Sequence, residues 1–174
     1  MSKITYIDGL KGVLRHRGYA IEELAEKSDF LETAYLLVQI PRIVLIQIYG
    51  ELPTKDQDAL FRREVMSHTF IADDLTQLIR SFRFDAHPMS IFIATFAAMS
   101  AYAPEANPAL QGRDLYTRDV KTMNKQIIRI LGKATTVAAM AYRIRIGRPF
   151  NYPRNELTYT ENLLYMMDVI PTIF

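Results

Sequence analysis

Pro88-Met-Ser-Ile-Phe-Ile-Ala-Thr-Phe-Ala-Ala-Met-Ser-Ala-Tyr102 is apolar or small at every position of about four helical turns. Pro88 opens it at the first turn, where a missing N–H costs nothing, and Pro104 ends it. A helix with no polar face must be buried all round, inside a core or against another subunit. Ala94, Ala97, Ala98, Ser100 and Ala101 permit close helix approach. The stretch is shorter than the roughly 20 residues that cross a bilayer as a helix, so it predicts no membrane span.

The flanking sequence carries the same helical period. Asp73 to Phe82 sets Leu75, Leu78, Ile79 and Phe82 inward, and Thr54-Lys-Asp-Gln57 is a capping box for a helix carrying Leu60, Phe61 and Val65. Asp29 caps a helix with Leu31, Ala34, Tyr35 and Leu37. Beyond a loop at residues 105–112, a helix from about Leu115 to Ile146 is expected, bent or broken near Gly132 and stopped by Gly147 and Pro149. Thr158-x-x-Glu161 starts a last helix through Leu163, Leu164 and Met167. Only the N-terminus reads as β: Ile4 to Gly9 and Gly12 to Tyr19 form two short strands around a turn. The fold class is mainly α with a small N-terminal β-hairpin.

Composition narrows the chemistry. The 174 residues are 49% apolar and 23% charged, enough for a sizeable core, which excludes disorder. Lys and Arg number 21 against 19 Asp and Glu, a formal charge of +2 that gives no reason to propose a nucleic-acid or anionic-membrane partner. The absence of cysteine removes disulfide scaffolds, thiolate metal sites and cysteine nucleophiles together. No signal or transit pattern is visible from Ser2 to Gly9, so the chain as written is cytoplasmic.

Three histidines are the candidates for imidazole chemistry. His16 lies between Arg15 and Arg17 and reads as a surface residue. His68, with Asp73 and Asp74, has no metal-ligand spacing, and capping explains those acids better. His87 falls at the N-cap of the apolar helix, where a buried capping role competes with a ligand-binding one. Lys121, Lys125, Arg129 and Lys133 recur every fourth residue, a stripe that is either an anion or nucleotide site or, as spacing alone favours, a solvated face. Arg143, Arg145, Arg148 and Arg154 could grip phosphate or carboxylate, although helix-end electrostatics accounts for the first two. No Gly-rich phosphate loop or nucleophile elbow is present.

Ile4-Thr-Tyr-Ile-Asp-Gly9, Leu14-Arg-His-Arg-Gly-Tyr-Ala-Ile-Glu-Glu-Leu24, Tyr49-Gly-Glu-Leu-Pro-Thr54, Asp85-Ala-His-Pro-Met89 and Gly147-Arg-Pro-Phe-Asn-Tyr-Pro-Arg154 occur in the order and style of citrate synthases. The resemblance runs from Ile4 to about Asp168. It implies a mostly helical homodimer with a large and a small domain, condensing acetyl-CoA with oxaloacetate to citrate and free CoA, with no covalently bound cofactor and no metal. Family members are more than twice this long. Their reaction uses a carboxylate base, a histidine that stabilises the enolate oxygen, and a second histidine with arginines that hold oxaloacetate. The motifs of those groups, H-A-x-H-x-x-N, G-x-x-H-G-G-A-N and G-x-G-H-R, do not occur here and are expected beyond Phe174. The resemblance therefore assigns no catalytic residue to this chain and makes residues 1–168 an N-terminal part of the large domain, inactive alone.

Two further roles follow from the resemblance. The helix from Pro88 to Tyr102 is similar to one that packs across the family's dimer interface, and a non-catalytic helical dimerisation module is the alternative function. His87, Arg129 and Lys133 match positions that bind inhibitory NADH in some bacterial members. The departures are equally specific. Residues 38–47 are an insertion between Leu37 and Ile48 that must loop out at Pro41, and residues 169–174 have no counterpart in the family. Both irregular segments open on valine, whose codons begin GT, so a translated intron would explain each. Ala72 stands where several relatives have histidine, and Leu10-Lys11 where an acidic pair is common. The pocket that selects the acyl group is not in the chain, so citrate and 2-methylcitrate synthases both fit. Relatives in bacteria, mitochondria and peroxisomes leave the compartment of a full-length parent open.

Overall fold

A computed structural model describes residues 4–38, 51–112 and 120–168. The element order is β1 (Thr5–Asp8), β2 (Val13–His16), β3 (Tyr19–Ala20), α1 (Ile21–Lys27), α2 (Phe30–Val38), α3 (Lys55–Met66), α4 (Asp73–Ser81) and α5 (Pro88–Met99). Two 3₁₀ turns (Ser100–Tyr102 and Pro104–Ala106), α6 (Pro108–Gln111), α7 (Val120–Arg145) and α8 (Tyr159–Met167) complete it. The fold is mainly helical, as the periodicity predicts. Contacts divide it into two compact units, residues 1–63 and 64–174, where the sequence shows no linker.

In the first unit the expected hairpin is a three-stranded antiparallel sheet, β1-β2-β3. The two-strand reading missed the second turn. Arg17 and Gly18 both take positive φ, 46° and 95°, making a two-residue connection that pairs His16 with Tyr19. The buried Arg17 side chain then donates from Nη2 to the carbonyl of Leu37 at 3.2 Å, tying this turn to the end of α2. Leu24, Leu31, Ala34, Leu36 and Phe61 are the buried apolar residues among the described residues of the unit. Leu31 and Leu36 are the fully buried leucines of α2, Leu37 is half-buried, and Leu60 is exposed. Asp29 caps α2 by accepting from the Glu32 amide at 3.0 Å, while Arg62 bridges Asp29 and Asp58 at 2.7 and 2.6 Å. The insertion expected at 38–47 keeps only Val38 in view, as the last residue of α2, and the rest lies outside the described residues. So does the tail 169–174, including Phe174, the residue beyond which the catalytic motifs are expected.

In the second unit α7 is the central element, packing on α5, α4 and α8. Thr135, Thr136, Val137, Ala139, Met140 and Ala141 are its buried run, whereas Met123, Ile127 and Leu131 are half-buried. It runs without a break through Gly132, where the sequence predicts a bend or break. Gly132 serves close approach instead: a Cβ there would lie 2.5 Å from the Val65 carbonyl oxygen and 3.0 Å from that of His68. Thr136 Oγ1 donates to the Thr69 carbonyl at 2.7 Å, fastening the same crossing. The loop expected at 105–112 contains a 3₁₀ turn and the single turn α6. In α8 the buried residues are Tyr159, Asn162 and Met166, and Leu164 faces outward. The capping box forms, with Glu161 Oε2 accepting from the Thr158 amide at 2.8 Å.

In helix α5 Ile91 and Thr95 are fully buried, but Met89 and Ile93 are 53% and 63% exposed, so among the described residues the helix is covered on one side only. No helix among the described residues is long and apolar enough to cross a membrane.

Candidate functional site

The second unit contains a cavity of about 500 Å³ where the C-terminal end of α5 and its 3₁₀ turns meet α7 and the segment 67–72. One wall is apolar, built from Phe96, Met99, Leu75 and Ala72. The other is cationic, because the four-residue spacing on α7 brings Arg129 and Lys133 onto the face that packs against His68. The stripe read from the sequence thus splits: Lys121 and Lys125 are exposed, as a solvated face requires, while Arg129 and Lys133 turn into the cavity.

Each polar group has defined partners. Arg129 Nη1 lies 3.4 Å from Glu105 Oε1, which also accepts from Gln126 Nε2 at 3.3 Å. Lys133 Nζ donates to the carbonyls of His68, at 3.3 Å, and Phe70. Burial, and then the charge of Arg129, lower the Lys133 pKa. Burial also lowers that of His68, reinforced by Lys133 and Arg129, so its ring favours the neutral state; its Nδ1 pairs with Ser67 Oγ at 2.8 Å. At the rim, Tyr102 donates its hydroxyl proton to Asp74 Oδ2 at 3.0 Å.

Of the three residues singled out as nucleotide-site candidates, the cavity gathers Arg129 and Lys133 and leaves out His87. His87 stands at the opposite end of α5, about 18 Å along the helix at 1.5 Å per residue. It is exposed, not buried, and caps α5 by accepting from the Met89 amide at Nδ1, 3.2 Å away. His68 takes its place beside the two cations. Its signal in the sequence was weak, since it lies 61 residues from Arg129 and only folding brings them together.

The arginine cluster is dispersed. Arg143 is buried and donates to the carbonyls of Pro149 and Met167, Arg148 pairs with Asp168 at 3.0 Å, and Arg154 stacks on Tyr165. These arginines anchor the chain around α8 and leave no shared anion site. His16 in the sheet pairs with Thr5 Oγ1 at 3.3 Å. Among the described residues, no group of three or more His, Asp or Glu could hold a metal ion.

The described residues form a helical fold with an amphipathic, cationic cavity. A family model described as citrate synthase, C-terminal domain, matches residues 1–172, and the chain belongs to the citrate synthase family. Citrate synthase of Dictyostelium discoideum is 56% identical over 167 residues, 96% of this chain and 30% of that protein. The glyoxysomal citrate synthase of Cucurbita maxima is 45% identical, again over 96% of this chain and 30% of its own length. The crystal structure of citrate synthase from Pyrobaculum aerophilum matches with a TM-score of 0.78 at 32% identity, covering 96% of this chain and 39% of that one. The chain therefore spans about a third of the length of the relatives it matches.

Proposed function

We propose that this chain is part of a citrate synthase, an acyltransferase that condenses acetyl-CoA with oxaloacetate to give citrate and free CoA, and that the groups performing the condensation belong to sequence beyond Phe174. The observation that carries this is the placement of the histidines. The reaction needs a carboxylate to take a proton from the acetyl methyl group and a donor to the enolate oxygen, both around one bound acyl group. His16 pairs with a threonine, His68 with a serine and His87 with a backbone amide. None of these contacts couples an imidazole to a carboxylate.

What the chain contributes is scaffold. Exposed Met89 and Ile93 on the uncovered side of α5 support a subunit-facing role for that helix in a homodimer. The test is CoA-thiol release by the purified 174-residue chain with acetyl-CoA and oxaloacetate. No turnover above the uncatalysed rate is expected; turnover at about 1 per second or faster would overturn the assignment of catalysis to other sequence.

A further inference from the structure

We propose that Lys133 is an acyl-acceptor site, its amine taking a small acyl group from an acyl thioester that enters the cavity. Three features of its position single it out from the other lysines of α7. Lys121 and Lys125 point to solvent, whereas Lys133 lines the cavity opposite the apolar wall of Phe96, Leu75 and Ala72, with room for an acyl chain. Its Nζ is held at a fixed place by the carbonyls of His68 and Phe70. Among the described residues it pairs with no carboxylate, while its neighbour Arg129 has Glu105. A lysine held in a partly dry pocket beside another cation presents more free amine near neutral pH than a solvated one, and the free amine is the nucleophile.

The step balances without a further reactant. The Nζ lone pair attacks the thioester carbonyl carbon, the N–C bond forms, and the C–S bond breaks with its electron pair on sulfur. Of the two protons the ammonium loses, one leaves to solvent before attack and frees the lone pair, and the other ends on the thiolate through water. The product is a neutral amide and a free thiol, and the charge of Lys133 beside Arg129 and His68 is removed, which lifts the cost of holding it half-buried. This acylates the protein itself and is independent of the condensation proposed above.

The chain is incubated near neutral pH with S-acetyl-N-acetylcysteamine, a thioester without a nucleotide, and acetylation is followed peptide by peptide by mass spectrometry. Lys133 is expected to react at least about threefold faster than Lys121 and Lys125, and the advantage is expected to vanish in concentrated urea. A Lys133 rate no greater than theirs in the folded chain overturns the proposal. So does an advantage that survives unfolding, since it would then be a property of local sequence rather than of the cavity.

Discussion

Gly132 decides how closely α7 crosses the end of α3 and the segment that follows it. Its missing side chain is replaced by backbone, the carbonyl oxygens of Val65 and His68, which cannot swing away as a flexible side chain would. Gly132→Ala should gain about 1 kcal/mol of helix propensity and lose more to the forced separation, a net destabilisation of about 1–2 kcal/mol. A urea-unfolding midpoint unmoved or raised by the substitution would show that the crossing relaxes freely. In sequence Gly132 reads as a helix breaker, because a glycine between Leu131 and Lys133 carries no mark of what will lie across from it. His68 illustrates the same limit. Its role depends on two cations more than 60 residues away, while the N-cap of His87, decided by its next two neighbours, was legible at once.

At the scale of elements, local chemistry is legible in the sequence wherever it is self-contained. The boxes at Thr54 and Thr158 form as written, with Gln57 Oε1 accepting from the Thr54 amide at 3.0 Å and Glu161 doing the same for Thr158. Strand β3 escaped because two residues leave almost no periodic signal, and the Arg17-Gly18 turn lacks the usual Asn-Gly mark. The lack of a polar face on α5 is plain in the sequence, but a core helix and one shared between subunits carry the same pattern. Its exposed Ile93 separates the two. Ile93→Glu should leave the stability of an isolated chain within about 0.5 kcal/mol, since the side chain is already 63% exposed, yet abolish the proposed homodimer. Sedimentation velocity checks this: a variant that still sediments as a dimer would remove α5 from the interface.

For the whole molecule, family membership was legible from five ordered motifs, and the fold agrees with it through citrate synthases of very different identity. The division at residue 63 was not legible, because it falls within α3 rather than at a Gly- or Pro-rich linker. The family's reaction, in contrast, belongs to a protein about three times as long as this chain. As proposed, these residues supply scaffold to a catalytic machinery carried elsewhere. Replacing the matching segment of the Dictyostelium discoideum citrate synthase with residues 4–37 and 48–168 of this chain, and measuring CoA release by the hybrid, tests it most directly. Turnover within about tenfold of the parent is predicted. A hybrid that folds and assembles like the parent but loses about a thousandfold or more would contradict the account, because residues within this segment would then be taking part in the chemistry.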